Sequence, residues 1–282
     1  MTGEDLGATP GATAAGRPDW ADGVDLSRPS VARAYDYTLG GSHNFAVDRE
    51  FVRALESIAP GARLVARANR AFLRRAVRFV IEKGISQFLD IGSGIPTVGN
   101  VHEIARGLAP EARVVYVDID PVAVAHSRLI LASDARATAI QEDLRRPEAI
   151  LDHPDSRALL DFSKPVGLIL ATILHAVPDG DDPYGIMTRL RDRLAPGSYV
   201  AISHATTECR PEEEVRDIEL MSRRTSTPIT FRTRAEVMRF FTGLDLVEPG
   251  LVWTSQWRPE LPEDVCDHPE QMGLYAGVGR KR

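Results

Sequence analysis

Cysteine is nearly absent. The 282-residue chain has two, Cys209 and Cys266, far apart in sequence. They make neither a disulfide framework nor a metal-ligand spacing, so no metal site is expected, and the count suits a reducing compartment. Long apolar runs are missing too. The longest nearly charge-free stretch, Pro165 to Pro178, is too short to span a bilayer and reads as a buried strand with its following loop. The opening residues, Met1-Thr-Gly-Glu-Asp5, lack a basic segment followed by an apolar core. No signal peptide is therefore expected, and the chain reads as cytoplasmic. An excess of positive charge is also lacking: 34 Lys and Arg stand against 40 Asp and Glu, for a net charge of −6. Nothing global then draws the protein to nucleic acid or an anionic membrane. The short basic stretches Arg145–Arg146 and Arg223, Arg224, Arg232, Arg234 read as solvated surface.

What remains is an ordinary soluble composition, 43% hydrophobic and 26% charged, enough for one large core. Residues 1–25 are rich in Gly, Ala, Thr, Pro and acids without periodicity and read as a disordered tail. Residues 26–84 read as a helical segment. Ser27 is the expected first N-cap, with Pro29 in the first turn and a stop at Gly40-Gly41. A second helix is expected over 48–59. A third, over 62–83, has Leu64, Ala68, Phe72, Val77 and Val80 on its apolar face.

Residues 85–282 read as one α/β core. Strands are expected at 87–91, 113–118, 137–141, 166–170 and 198–203. Helices fit between them at 98–108, 121–132, 147–151 (continuing loosely to 160) and 183–194. Asp120-Pro121 and Asp182-Pro183 each place an acidic N-cap before a proline at the first helical position. This alternation implies a parallel sheet with helices on both faces. A polar stretch, 206–234, follows, with one helix near 212–223. Another helix (234–242) precedes strand candidates at 245–248 and 274–279.

The chemistry concentrates after the first strand, in Phe88-Leu-Asp-Ile-Gly-Ser-Gly-Ile-Pro-Thr97. Asp90 ends the strand, and Gly92, Ser93 and Gly94 form a turn where backbone can approach a ligand closely. A dinucleotide fingerprint needs a third glycine where Thr97 stands. A carboxylate at Asp90 would also face two phosphate charges. S-adenosylmethionine carries an ammonium and a sulfonium instead, which Asp90 favours. Asp118 ends the second strand and is placed to accept from ribose hydroxyls, with Ile119 as an apolar wall beside adenine. Asp120 reads better as a helix N-cap. In Gln141-Glu-Asp-Leu144, Asp143 is chosen over Glu142 to accept the adenine amino group, and the Leu144 N–H to meet a ring nitrogen.

These stretches, in this order, resemble class I S-adenosylmethionine-dependent methyltransferases. The closer likeness is to a bacterial family called S-adenosyl methyltransferases, mostly of unassigned substrate. It rests on Pro29-Ser-Val-Ala-Arg-Ala-Tyr-Asp-Tyr-Thr-Leu-Gly-Gly-Ser-His-Asn-Phe-Ala-Val-Asp-Arg-Glu50, on Asn69-Arg-Ala-Phe72, on the glycine turn, and on Phe231-Arg-Thr-Arg234 with the Gly243–Gly250 turn. The resemblance implies a Rossmann-like sheet of seven strands in order 3-2-1-4-5-7-6, the last antiparallel. It implies that Asp90, Gly92, Gly94, Asp118 and Asp143 meet the cofactor, with backbone near Ala171 at its methionine end. Methyltransferases of exocyclic base amines often carry an Asp/Asn-Pro-Pro-aromatic tetrad after strand four. Here Ala171-Thr-Ile-Leu-His175 stands there, so base-amine methylation is unsupported.

The expected reaction is in-line methyl transfer to a small-molecule acceptor. The acceptor pocket should open at the ends of strands four and five, under the N-terminal helices as a lid. Tyr35, Tyr37, His43 and Asn44 are its expected polar edge. His175 is the first candidate for a general base and His204 the second. A non-catalytic module that only binds S-adenosylmethionine is the rival reading, and a nicotinamide enzyme is a weaker one.

Overall fold

Strands buried on both faces read as near-continuous apolar runs, and Val114–Val117 shows the consequence. Val115 and Val117 pack in one core layer with Leu89, Ile91, Leu168 and Leu170. Val114 and Tyr116 pack in the other with Phe88, Ile169 and Ala201. The computed structural model describes residues 27–96 and 99–282. The 1–25 tail lies outside the described residues. The strands are β1 (Gln87–Ile91), β2 (Arg113–Asp118), β3 (Ala137–Gln141), β4 (Gly167–Ala171), β5 (Tyr199–Ala205), β6 (Leu244–Leu246), β7 (Val252–Trp253) and β8 (Leu274–Lys281). They form one sheet in the order β3-β2-β1-β4-β5-β8-β6. The first five are parallel and β8 is antiparallel to both neighbours. The implied order thus holds, with one addition: the two-residue β7 also pairs with β8, making eight strands rather than seven.

Ten α-helices surround the sheet among the described residues. They are α1 (Val31–Thr38), α2 (Ala46–Ile58), α3 (Ala62–Glu82), α4 (Val101–Leu108), α5 (Pro121–Ile130), α6 (Pro147–Asp152), α7 (Pro154–Leu159), α8 (Pro183–Arg193), α9 (Glu212–Ser222) and α10 (Arg234–Arg239). Both acid–proline starts behave as expected: Asp120 accepts from Val122 N–H and Asp182 from Gly185 N–H. Pro154, which has no N–H to donate, splits the expected 147–160 helix into α6 and α7. The first helix starts at Val31 rather than after Ser27, with Ser30 at the cap position. Ser30 gives its N–H to Asp48 and its hydroxyl to Asp120 instead of capping its own helix. On α3, Leu64 is 55% exposed, against expectation. It sits eight residues before Phe72, about 80° past two whole turns, which rotates it off the buried stripe.

The N-terminal helices are bolted down by buried charge. Arg33 of α1 donates to Asp48 of α2 at 2.8 Å and lies 3.6 Å from Asp120 at the start of α5. At the other end of the chain, Arg75 of α3 donates to the carbonyls of Trp257 and Thr254 and pairs with Asp264. That cluster holds the long connection from β7 to β8 over α3. No helix among the described residues is long and apolar enough to cross a membrane.

Candidate active site

The parallel register brings the C-terminal ends of β1, β2, β4 and β5 to one edge of the sheet. After β1 the chain turns sharply, with φ of +73° at Gly92 and +63° at Gly94. The N–H groups of Gly92 and Ser93 both reach the Val117 carbonyl, which hooks the turn onto β2. Asp118 then locks its far end, accepting from Gly94 N–H at 2.8 Å and Asp120 N–H at 2.9 Å. Burial raises the Asp118 carboxyl to about pH 6, and those N–H bonds pull the other way.

The helix after this turn starts later than expected, at Val101. Its first amides are already used: Asn100 N–H goes to the Glu103 carboxylate and His102 N–H to Tyr116 Oη. A negative group at this end is poorly matched to a pyrophosphate.

Asp90 is 6% exposed, and its carboxylate accepts no hydrogen bond from a described residue. Burial pushes it up to about 7; Arg70 lowers it and Asp118 raises it further. An acid with a raised folded pKa holds its proton more tightly when folded. Its stabilising contribution is full below the unfolded value, about 4, and is lost as the pH rises through about 7. We expect the cofactor-free protein to lose melting temperature between pH 5 and 8, and Asp90→Asn to flatten that slope. Affinity for S-adenosylhomocysteine, whose ammonium prefers the ionised form, should rise over the same window in the wild type only. Parallel profiles in melting scans and calorimetry would refute this.

One cavity of about 590 Å³ collects most of the expected residues. Asp90, Gly92, Ser93, Gly94, Asp118 and Ile119 line its sheet side, and Ala171, His175 and Tyr35 line the adjoining wall. Tyr35 is also bonded: Asn69 Nδ2 donates to its Oη, which donates to the Ala66 carbonyl. Asn69 further accepts from Ser203 Oγ at 2.6 Å. This link between α3 and β5 was not expected to matter, although Asn69 stood in a motif.

Six expected site residues stand outside the cavity lining, among them His43, whose ring packs on that of His126. Both Asp143 oxygens are held by Arg145, two residues on, and the Leu144 side chain is buried in the core. Tyr37 lies under the Arg63 guanidinium. Asn44 donates to Asp36 and Gly41 and accepts from Arg49, so it shapes the α1–α2 loop. His204 is fully buried, with Nδ1 on the Ala205 carbonyl and Nε2 accepting from Arg232.

Arg232 itself corrects the surface reading. It is 3% exposed and donates to the Leu174 and Val177 carbonyls and to Asp179. It thereby fixes the loop after β4 that carries His175. The base role expected of His175 also meets an obstacle. Its Nδ1 accepts from Ala205 N–H at 3.3 Å, so the neutral ring carries its proton on Nε2. Burial, with Arg232 beside it, lowers its pKa to about 4.

Residues 18–282 match the model of the family described as S-adenosyl methyltransferase. The chain belongs to this family. A candidate methyltransferase from Thermobifida fusca YX is 41% identical, with a TM-score of 0.84 over 92% of this chain and 97% of that one. A DUF574-family protein from Streptomyces avermitilis MA-4680 is also 41% identical, with a TM-score of 0.86 over 92% of this chain and 99% of that one. A search of curated proteins returns no match. The cofactor of this family member is S-adenosylmethionine. The chemistry of the site is compatible with it: Asp90 is a buried carboxylate that accepts no hydrogen bond from a described residue, and Asp118 is a second acid at the end of β2.

Proposed function

We propose that the protein transfers a methyl group from S-adenosylmethionine to a small-molecule acceptor bound under its N-terminal helices. One observation carries this reading. The cavity that contains Asp90, the glycine turn and Asp118 continues beyond them, to α2 and α9. A module that only binds the cofactor has no use for that extension.

In this reading Asp90 meets the cofactor's ammonium, Asp118 its ribose hydroxyls, and Ile119 flanks its adenine. Bound S-adenosylmethionine supplies an already activated methyl group. The chain's own work is alignment and exclusion of water. The Arg33–Asp48 pair holds α1 and α2 closed over the site. The Asn69 network fixes Tyr35 and the end of β4 relative to each other. His175 acts as a hydrogen-bond donor through Nε2, not as a base. The segment 26–84 serves as the lid of the 85–282 core. A cytoplasmic setting fits two cysteines that form no disulfide.

Calorimetric titration with S-adenosylmethionine, S-adenosylhomocysteine and NAD tests the reading. Binding of the first two, but not NAD, is expected, and a preference for NAD would overturn it. For His175 we expect pH–rate profiles of wild type and His175→Gln to keep the same shape between pH 5 and 9. A limb that disappears in the variant, with a loss of roughly 10²-fold or more, would restore the base role.

A further inference from the structure

The half of the cavity away from the glycine turn is walled by apolar side chains. Phe51 and Leu55 come from α2, Val65 from α3, Ile218 from α9, and Ile229 and Phe231 from the segment after it. Phe51, Leu55, Ile218 and Phe231 are only half buried in the folded chain. Apolar surface left open inside a cavity is covered favourably by an apolar ligand.

Charge in the lining is already committed. Its carboxylates are Asp90, Asp118 and Asp120, all beside the glycine turn and the start of α5. Its four arginines are Arg28, Arg33, Arg70 and Arg210. Arg33 is paired with Asp48 and Arg210 with Glu214, and Arg70 donates to Asn100 and faces Asp90. Arg28 donates to the Thr225 carbonyl and is exposed, where an added ion pair is worth little. A charged acceptor would therefore lose its hydration without gaining a buried counter-charge. Arg70 Nε and the Asp90 carboxylate also lack a hydrogen-bond partner among the described residues, but they face each other at the glycine-turn end. Beyond that end, His175 offers an open polar group. His175 is 5% exposed, its Nδ1 is occupied by Ala205 N–H, and its Nε2 has no partner among the described residues.

We propose that the methyl acceptor is a neutral, mostly apolar molecule bearing a hydrogen-bond-accepting oxygen, seated between α2 and α9 with that oxygen on His175 Nε2–H. This rests on the methyltransferase reading and adds the chemical class of the acceptor to it. Arg232, by holding the Leu174 and Val177 carbonyls, keeps His175 turned to its backbone partner.

Four probes of one shape test the class on protein saturated with S-adenosylhomocysteine: 2-naphthol, 2-methylnaphthalene, 2-naphthoate and 2-naphthylmethylammonium, followed by their fluorescence. 2-Naphthol should bind at least tenfold more tightly than either ion. It should lead 2-methylnaphthalene by at least threefold, and His175→Leu should erase that lead. Phe231→Ala, on the apolar wall, should weaken 2-naphthol about tenfold and leave S-adenosylhomocysteine affinity within twofold. If either ion binds as tightly as 2-naphthol, or no naphthyl probe binds the loaded protein at millimolar levels, the inference is overturned and the methyltransferase reading survives. If S-adenosylhomocysteine itself does not bind, that reading fails and the inference falls with it.

Discussion

Replacing Asp118 with alanine will weaken S-adenosylhomocysteine binding by roughly 30- to 1,000-fold, about 2–4 kcal/mol. Two losses combine. The proposed ribose contacts are hydrogen bonds to a charged acceptor, each worth about 1.5–3 kcal/mol. The second loss is internal. Asp118 organises the turn, since its two oxygens hold Gly94 N–H and Asp120 N–H. Without the carboxylate both donors lose their partner, and the turn no longer has a fixed distance to α5. Asp118→Asn should fare little better, because only one of its two terminal atoms can accept. Calorimetry with S-adenosylhomocysteine reads the affinity, and a thermal scan separates it from unfolding. An Asp118→Ala protein that melts normally and binds within threefold of wild type would show that this acid is not part of the cofactor site.

How much of this was legible beforehand depends on how local each signal is. The parallel strands were readable because double-sided burial forces continuous apolar runs, and the starts of α5 and α8 because Asp-Pro is a local cap. The acids at the ends of β1 and β2 followed from those strands. Failures occur where a distant partner decides. Arg232 looked like one of several surface arginines, yet it is buried because carbonyls of the loop after β4 converge on it. His204 sits at a strand end, as an acceptor-binding residue should, but the same arginine claims its Nε2. The apolar wall around Phe51 and Phe231 exists only after α2 docks beside α9, and no periodicity within either segment announces that contact. Asp143 is different: Arg145, two residues away, was in plain view as a competitor for its carboxylate. The remaining signals were partial. Asn69 lay in a recognised motif, but only the fold places its amide between Tyr35 and Ser203.

Gly92→Ala will destabilise the protein by roughly 2–5 kcal/mol, the sum of a backbone and a packing cost. The backbone cost comes from φ of +73°, which an L side chain adopts at about 1–2 kcal/mol. The packing cost comes from Ile173, whose Cγ1 and Cβ would lie far inside van der Waals contact of the added methyl. Ile173 cannot easily yield. Its β-branched side chain is stiff, and its carbonyl is held by Ala176 N–H in the turn that also carries His175. Gly94 provides the internal comparison. Its φ is +63°, but the nearest atom to an added methyl is Ala32 Cβ at 4.0 Å. Gly94→Ala should therefore carry the backbone cost alone. Denaturant melts of both variants, and of Gly92→Ala combined with Ile173→Ala, separate the two contributions. The double variant should melt closer to Gly94→Ala than Gly92→Ala does, after allowing for the loss measured in Ile173→Ala by itself. Equal destabilisation at the two glycines would mean that Ile173 does not press on the turn. The loop after β4 would then be free of the glycine turn.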